Sequence, residues 1–388
     1  MVKLIALLSP MYVTLFWGIS FFLKRAANNK ATQMLTYFMF TAFLLYLSHL
    51  FYFIEQYELY SFFESVYITA LLSLYPFFYF YVRSLSYVKE KKTFYLLHFV
   101  PALFLGTIAL LLNFFISPSE RIVYVKELLI ERNLRGFTLH TVEGFKALIF
   151  LISRIIFIGH TIFYLILGIR LSNVHNKLIS QYFSNLEKRS MNWIKNLSFF
   201  YLIASAAAII FSVVGRSYFA QNSLMLIIPS VIFSSMYFVL GFLGNQHVLI
   251  TEDIIENSPE NIEHSVINQS DHEKLKKELL TLFEQEKIYM HPDLRITKIA
   301  EELQTNRTYI SRMINEDFSM NFNDFVNQYR VREAEKLLVS EEYKAYTIDY
   351  IAETVGFGSG NSFSRAFKEY KGITPGQYRA KMKLRAEA

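Results

Sequence analysis

The chain has 388 residues, of which 53% are hydrophobic, 17% aromatic and 19% charged, with no cysteine and a formal net charge of +6. Soluble proteins usually carry about 25% charged residues, so this composition argues against an ordinary water-soluble globule. The lack of cysteine excludes disulfides, thiolate metal sites and cysteine nucleophiles.

Charge is spread unevenly. Residues 1–250 hold 20 Lys+Arg against 9 Asp+Glu, residues 251–270 hold 5 acids and no base, and residues 271–388 hold 19 of each sign. The positive excess therefore sits among the apolar segments, and the sequence pI of 9.1 is no argument for nucleic-acid binding.

A helix needs ~20 apolar residues to cross ~30 Å of hydrocarbon. Runs near 4–23, 32–54, 61–82, 94–116, 145–169, 196–214 and 223–243 meet that length. The first is too long for a signal-peptide core and lacks a small-residue cleavage site, so it reads as a retained span. Connections 24–31, 83–93 and 170–195 carry 12 Lys+Arg, whereas the alternate set carries 6. That bias puts the N-terminus outside and the C-terminus in the cytoplasm, which seven crossings also require. The outer loop 117–144 contains "SERIVYVKELLIERN", with Ile122, Val125, Leu128 and Leu129 at helical spacing for one face of a surface helix.

Ionisable groups inside spans are costly and mark candidate sites. Arg154 and His160 lie within the fifth span, and Glu64 lies near the outer end of the third. These three are the candidate ligand or coupling residues, with Glu64 a candidate partner of Arg154 and the pairing left open. The alternative is a purely structural ion pair.

Residues 246–270 read as an acidic, flexible linker, rich in Asn and Ser and without apolar periodicity. From Asp271 the texture becomes that of a helical domain with an internal repeat. "IAEELQTNRTYISRM" (299–313) parallels "IAETVGFGSGNSFSRAF" (351–367) at an offset of 52 residues that becomes 53 after the turn. Each copy reads as helix–turn–helix. Asn306 and Ser359 stand where each second helix starts and suit an N-cap.

Spacing places Ile310, Met313 and Ile314, and likewise Phe363, Ala366 and Phe367, toward a core. Arg307, Thr308, Ser311 and Arg312 are left facing outward in the first copy, and Asn361, Ser362, Ser364 and Arg365 in the second. These residue types read base edges: Arg addresses guanine, Asn adenine, and Ser or Thr either. Asn306, Ser359, Lys368, Tyr378, Arg379, Lys381 and Lys383 are the candidate phosphate contacts. Between the copies, Asn321 to Val339 forms a 19-residue helix. At 1.5 Å per residue it is ~28 Å long. It can hold two reading heads roughly one DNA turn, ~34 Å, apart.

The runs "YISRMINEDF", "FNDFVNQYRVREAEKLL", "TIDYIAETVGF" and "SFSRAFKEYKGITPGQYR" resemble the AraC/XylS-type DNA-binding domain. The resemblance covers about 275–385. It implies sequence-specific transcriptional regulation of double-stranded DNA through two major-groove helices. Two positions depart from that pattern. Arg295 stands where the family usually has a capping Thr or Ser, and Gly360 where many members place a polar side chain. The latter predicts that the second head reads fewer bases.

The expected fold is all-α: a seven-helix transmembrane bundle over 1–245, the linker, and a cytoplasmic seven-helix double helix-turn-helix domain over 271–388. The expected function is a one-component regulator in a bacterial inner membrane that senses an unknown small-molecule or membrane signal. The bilayer and DNA are its expected partners, with RNA polymerase and a second copy of the chain as further candidates. The alternative is a transporter or receptor with a regulatory cytoplasmic helical module, against which no inverted repeat is visible.

No enzyme is legible, and no cofactor, metal or catalytic residue is expected. "GFGSGN" (356–361) lacks the last glycine of a phosphate-binding loop and follows a helix, and "HEKLK" (272–276) lacks the second histidine of a zinc motif.

Overall fold

A computed structural model describes the chain except residues 1, 25–28, 87–94, 132–137, 139, 188, 215–217, 219–222, 248–268, 387 and 388. The linker expected over 246–270 therefore lies almost wholly outside the described residues. Among these, the architecture is helical without strands; Phe183 and Arg295 make one isolated antiparallel pairing.

The helices in chain order are α1 Val2–Lys24, α2 Lys30–Phe53, α3 Tyr57–Leu85, α4 Val100–Leu112, α5 Pro118–Val123, α6 Val142–Tyr182, α7 Asn192–Val214 and α8 Ile227–His247. Then follow α9 Gln269–Glu284, α10 Ile296–Glu302, α11 Arg307–Phe318, α12 Phe322–Val339, α13 Ile348–Thr354, α14 Gly360–Lys371 and α15 Pro375–Ala386. Chain contacts divide these into two compact units. The first comprises 1–173 with 191–253, and the second 174–190 with 254–388. The second unit thus takes in the last turns of α6 and the connection after it.

Seven helical stretches of the first unit are long and apolar enough to cross a membrane, the longest being Val142–Ser180. Their outward faces are apolar, with Phe163, Ile166, Phe200 and Phe238 among many exposed large side chains. Polar groups lie inside. Glu64 and Lys146 are both fully buried and ion-paired, with Lys146 Nζ 3.0 Å from Glu64 Oε2.

Four segments meet at this pair. Lys146 also donates to Ser61 Oγ and Asn113 Oδ1, each at 2.7 Å. Tyr124 donates its hydroxyl to Glu64 Oε1 at 2.7 Å, and its ring lies under the ammonium at 4.5 Å. Tyr124 comes from the outer loop, where a Ser117/Glu120 capping box starts α5 and a π-helical stretch, Tyr124–Ile130, continues it. The wider π pitch turns Tyr124, Val125 and Leu128 inward together.

The partner of Glu64, left open by the sequence, is Lys146. Arg154 instead lies over the rings of Tyr67 and Phe150, at 4.8 and 4.6 Å. His160 Nδ1 lies 3.3 Å from the Leu72 carbonyl. Depth explains the choice. Lys146 is four residues, ~6 Å, into α6 and Glu64 seven residues, ~10 Å, into α3, whereas Arg154 is twelve residues, ~18 Å, into α6.

Removing one member of a buried pair strands the other charge at ~3–5 kcal/mol. Lys146→Met is therefore expected to destabilise the purified protein by about that much, and adding Glu64→Leu should recover most of the loss. Thermal unfolding of the single and double variants checks this; equal losses would show that the pair is not the source.

Candidate nucleic-acid interface

The two copies of the repeat fold alike, residue by residue. In the first turn Thr305 N–H donates to Ala300 O, and in the second Phe357 N–H donates to Ala352 O, both at 2.9 Å. The sharp corner falls on Gln304 (φ 50°) and on Gly356 (φ 93°). Only the second corner also needs a missing Cβ, because one at Gly356 would come within 2.6 Å of Met290 O. After the turn, Asn306 Oδ1 accepts from Tyr309 N–H at 2.8 Å, and Ser359 Oγ from Ser362 N–H at 3.3 Å. These caps start α11 and α14, the second helices of each unit. The extra residue of the second copy is accommodated between Phe357 and Ser359, at Gly358.

Burial divides each second helix as its spacing requires. Tyr309, Ile310, Met313 and Ile314 of α11 and Phe363, Ala366 and Phe367 of α14 are buried. Thr308, Arg312, Asn361 and Arg365 are exposed, while Arg307, Ser311, Ser362 and Ser364 are half-buried. Arg312 reaches Glu316 at 3.5 Å across one exposed turn. Ser362 donates its hydroxyl to Ser359 O.

The other basic and polar candidates fall into two groups. Lys368, Lys381 and Lys383 are exposed. Tyr378 packs its ring on Phe367 at 5.3 Å beside the Glu335 carboxylate, and Arg379 donates Nη1 to Tyr346 O at 2.8 Å.

The two departures noted in the sequence have local causes. Arg295 N-caps α10 without a side-chain bond, whereas Thr347 caps α13 by accepting from Tyr350 N–H at 3.1 Å. A Cβ at Gly360 would lie 1.7 Å from Asp349 Oδ1, so a larger residue there would have to displace that exposed carboxylate. Asp349 thus puts a negative charge at the α14 N-terminus, where the helix dipole favours it.

The sequence gives no hint of what residues 181–189 do. Tyr182 places its ring 4.5 Å from the Arg307 guanidinium. Gln181 and Tyr182 share a cleft of about 390 Å³ with Arg307, Thr308, Ser311 and Arg312. Residues 184–187 line a second, polar cleft with Ser362 and Arg365. Asn185 fills the space beside Gly358 so closely that a Cβ there would meet its Nδ2 at 2.1 Å.

The segment is anchored by main-chain bonds. Ser184 N–H donates to Leu294 O at 3.1 Å, and Asn323 Nδ2 donates to Ser184 O at 2.7 Å. Arg330, fully buried in α12, donates to Ser184 Oγ at 3.1 Å and to Tyr289 O and His291 O at 2.7 Å each. Burial pushes its pKa down to about 9, so it stays charged at neutral pH.

Two helix-turn-helix units on one joining helix make the C-terminal part a DNA-binding domain of the AraC type. Residues 299–381 match the family described as Helix-turn-helix domain. An uncharacterized HTH-type transcriptional regulator of Staphylococcus aureus (strain COL) is 33% identical over 92 residues, covering 24% of this chain and 12% of that protein. The Msm operon regulatory protein of Streptococcus mutans is 30% identical over 86 residues, covering 22% of this chain and 30% of that one. Among solved structures, the C-terminal domain of AraT, a response regulator of Geobacillus stearothermophilus, is 30% identical. It covers 28% of this chain and 84% of that one, with a TM-score of 0.24. The chain thus spans under a third of the length of these two relatives.

The two corners make a paired test. Strain of this kind costs ~1–3 kcal/mol. Gly356→Ala is expected to destabilise the DNA-binding domain by at least that much, since a clash adds to the positive φ. Gln304→Gly should be neutral or stabilise by up to ~1 kcal/mol, because glycine removes the left-handed penalty. Urea unfolding of both variants decides, and similar losses at the two corners would refute the distinction.

Proposed function

We propose that the chain is a membrane-embedded one-component transcriptional regulator whose bundle governs how freely the two reading helices meet DNA. One observation carries the reading: α6 is a single helix that begins in the apolar first unit and ends, at Tyr182, against Arg307 of the first reading helix. The apolar outward faces of the long helices suit lipid, and the Lys+Arg bias of the connections favours the C-terminus in the cytoplasm.

The residues assigned to base readout are Arg307, Thr308, Ser311 and Arg312 in the first head and Asn361, Ser362, Ser364 and Arg365 in the second. A recognition helix presents its N-terminal half to the major groove. Lys368, Lys381 and Lys383 would contact phosphate. Asn306 and Ser359 are occupied as caps, and the ring packing of Tyr378 and the hydrogen bond of Arg379 tie them to the domain, so their share in phosphate contact is smaller.

Gln181 and Tyr182 stand where DNA would have to lie against α11. In this conformation the segment covers part of the reading surface, and a shift of the α6 end would uncover it. RNA polymerase contact and dimerisation belong to the same proposal as further steps of activation.

Three measurements bear on it. Arg312→Ala and Arg365→Ala should each lose ~1–3 kcal/mol on a selected operator, while Lys381→Ala should weaken all sequences alike and reduce the salt slope by about one. Uniform loss for all three would remove the base-reader assignment. Tyr182→Ala in the full chain, embedded in lipid discs, should raise operator affinity about two- to thirtyfold, since ~0.5–2 kcal/mol of cation–π contact with Arg307 is lost only in the covered state. Unchanged affinity would sink the cover, and a fall would make Tyr182 a DNA contact instead. A reporter fused after Ala388 should be active only in the cytoplasm, and activity on the far side would end the reading.

A further inference from the structure

The run "HEKLK" (272–276), which lacks the second histidine of a zinc motif, has both its ends engaged elsewhere. His272 and Lys276 stand four residues apart on α9, so they lie one above the other on the helix. They border the face that buries Leu279 and Phe283, while Glu273, Lys274, Lys277 and Glu278 are exposed. Both turn to α11, the second helix of the first head. His272 Nδ1 lies 2.6 Å from the Tyr309 hydroxyl and its Nε2 3.1 Å from Asp317 Oδ2. Lys276 Nζ reaches the same carboxylate oxygen at 3.0 Å.

The direction of each bond follows from Asp317. It sits in the last turn of α11, where the helix dipole disfavours a negative charge. Partial burial by itself raises its pKa, yet the hydrogen bonds from Lys276 and His272 hold it below the usual carboxylate range. An ionised carboxylate only accepts, so Nε2 carries the hydrogen, and Nδ1 of the neutral ring is left to accept from the Tyr309 hydroxyl. One imidazole thus ties the first turn of the reading helix to its last.

Tyr309 carries this to the reading face. Its ring is buried and stands edge-on to the His272 ring at 5.9 Å. The Arg312 guanidinium lies 6.0 Å from the Tyr309 ring centroid, at the outer range of a cation–π contact, and 3.5 Å from Glu316. A long side chain held near its bound rotamer loses less freedom when it meets a base. Reading groups are precise only when the residues behind them are themselves fixed.

We propose that His272 is a positioning residue for base readout: by fixing the Tyr309 ring it fixes where Arg312 stands. The inference rests on Arg312 being a base reader, as in the proposed function. It asks for no contact between α9 and DNA. Lys276 serves the same bridge by holding Asp317, the acceptor that sets the imidazole tautomer.

The test uses the full chain in lipid discs and measures discrimination, the ratio of affinities for a selected operator and for the same operator changed at one base pair. The pair read by Arg312 is the one at which Arg312→Ala loses discrimination. His272→Ala is expected to lower discrimination at that pair by about fivefold or more, and at the pair read by Arg365 by less than about twofold. Tyr309→Phe keeps the ring and removes the hydroxyl. It should give the same loss, and the double variant should lose no more than either alone. Amide replacements separate the two arms of the bridge. Asn places a polar atom near the position of Nδ1, and Gln near that of Nε2. His272→Asn should therefore keep most of the discrimination, and His272→Gln should lose it as Ala does. Non-specific binding and its salt slope should stay unchanged, because the phosphate-contacting lysines are untouched.

Full discrimination in Tyr309→Phe or His272→Ala, beside a loss in Arg312→Ala, would overturn the positioning role and leave Arg312 as a reader. Equal losses at the pairs of both heads would reduce the bridge to general stability and overturn it as well. Rescue by Gln and not by Asn would overturn the route through Tyr309. No loss at any pair in Arg312→Ala would remove the base reader itself, and the positioning role with it.

Discussion

The second unit is organised around one buried charge. Arg330 is fully buried, and a guanidinium taken out of water must have its donors satisfied or it costs several kcal/mol. Its donors go to Tyr289, His291 and Ser184, and its plane lies 5.6 Å from the Phe357 ring. Those partners come from the turn before the first head, the segment after α6, and the turn of the second head. None can drift without leaving the charge short of an acceptor. The spacing of the heads and the seat of residues 183–185 are therefore set by the same requirement.

The first unit solves the same problem with other means. Its exterior is apolar, so its few buried polar groups cannot turn outward to water. Its buried ion pair gathers partners instead: ammonium, carboxylate, hydroxyl and amide from α3, the stretch after α4, the outer loop and α6 satisfy one another around Lys146. The outer loop is held by this knot through Tyr124 rather than lying loose on the surface. In both units a single basic side chain gathers segments that are far apart in sequence.

This contrast explains what the sequence could tell. The long apolar helices, the repeat, its caps and the outward residues of α11 and α14 were legible because each rests on local periodicity or on a residue type with one local role. Gln304 and Gly356 sit at matching places 52 residues apart for the same reason. The partner of Glu64 was not found by noting two opposite charges in spans; it needed their depth, which favours Lys146. Arg330 did leave a trace. Phe322, Val326, Arg330, Ala334 and Leu338 recur every four residues and are all buried, so the arginine stands inside an apolar stripe. Asp349 against Gly360 and Asn185 against Gly358 are contacts between segments whose sequences carry no mark of each other. No periodicity in 174–190 announces that it packs with the DNA-binding domain.

Magnitudes distinguish the two ends of that segment. Ser184 shares main-chain and side-chain bonds with Arg330 and Asn323, and releasing it would strand a buried charge. The Tyr182–Arg307 contact is a partly exposed cation–π pair, worth ~0.5–2 kcal/mol. On the proposed function the segment therefore does not leave the domain when DNA binds. Its Ser184 anchor stays, and the Tyr182 edge yields. A difference of that size changes occupancy by about two- to thirtyfold, enough to grade a promoter and too little to lock it. A bundle acting through α6 need supply no more than that.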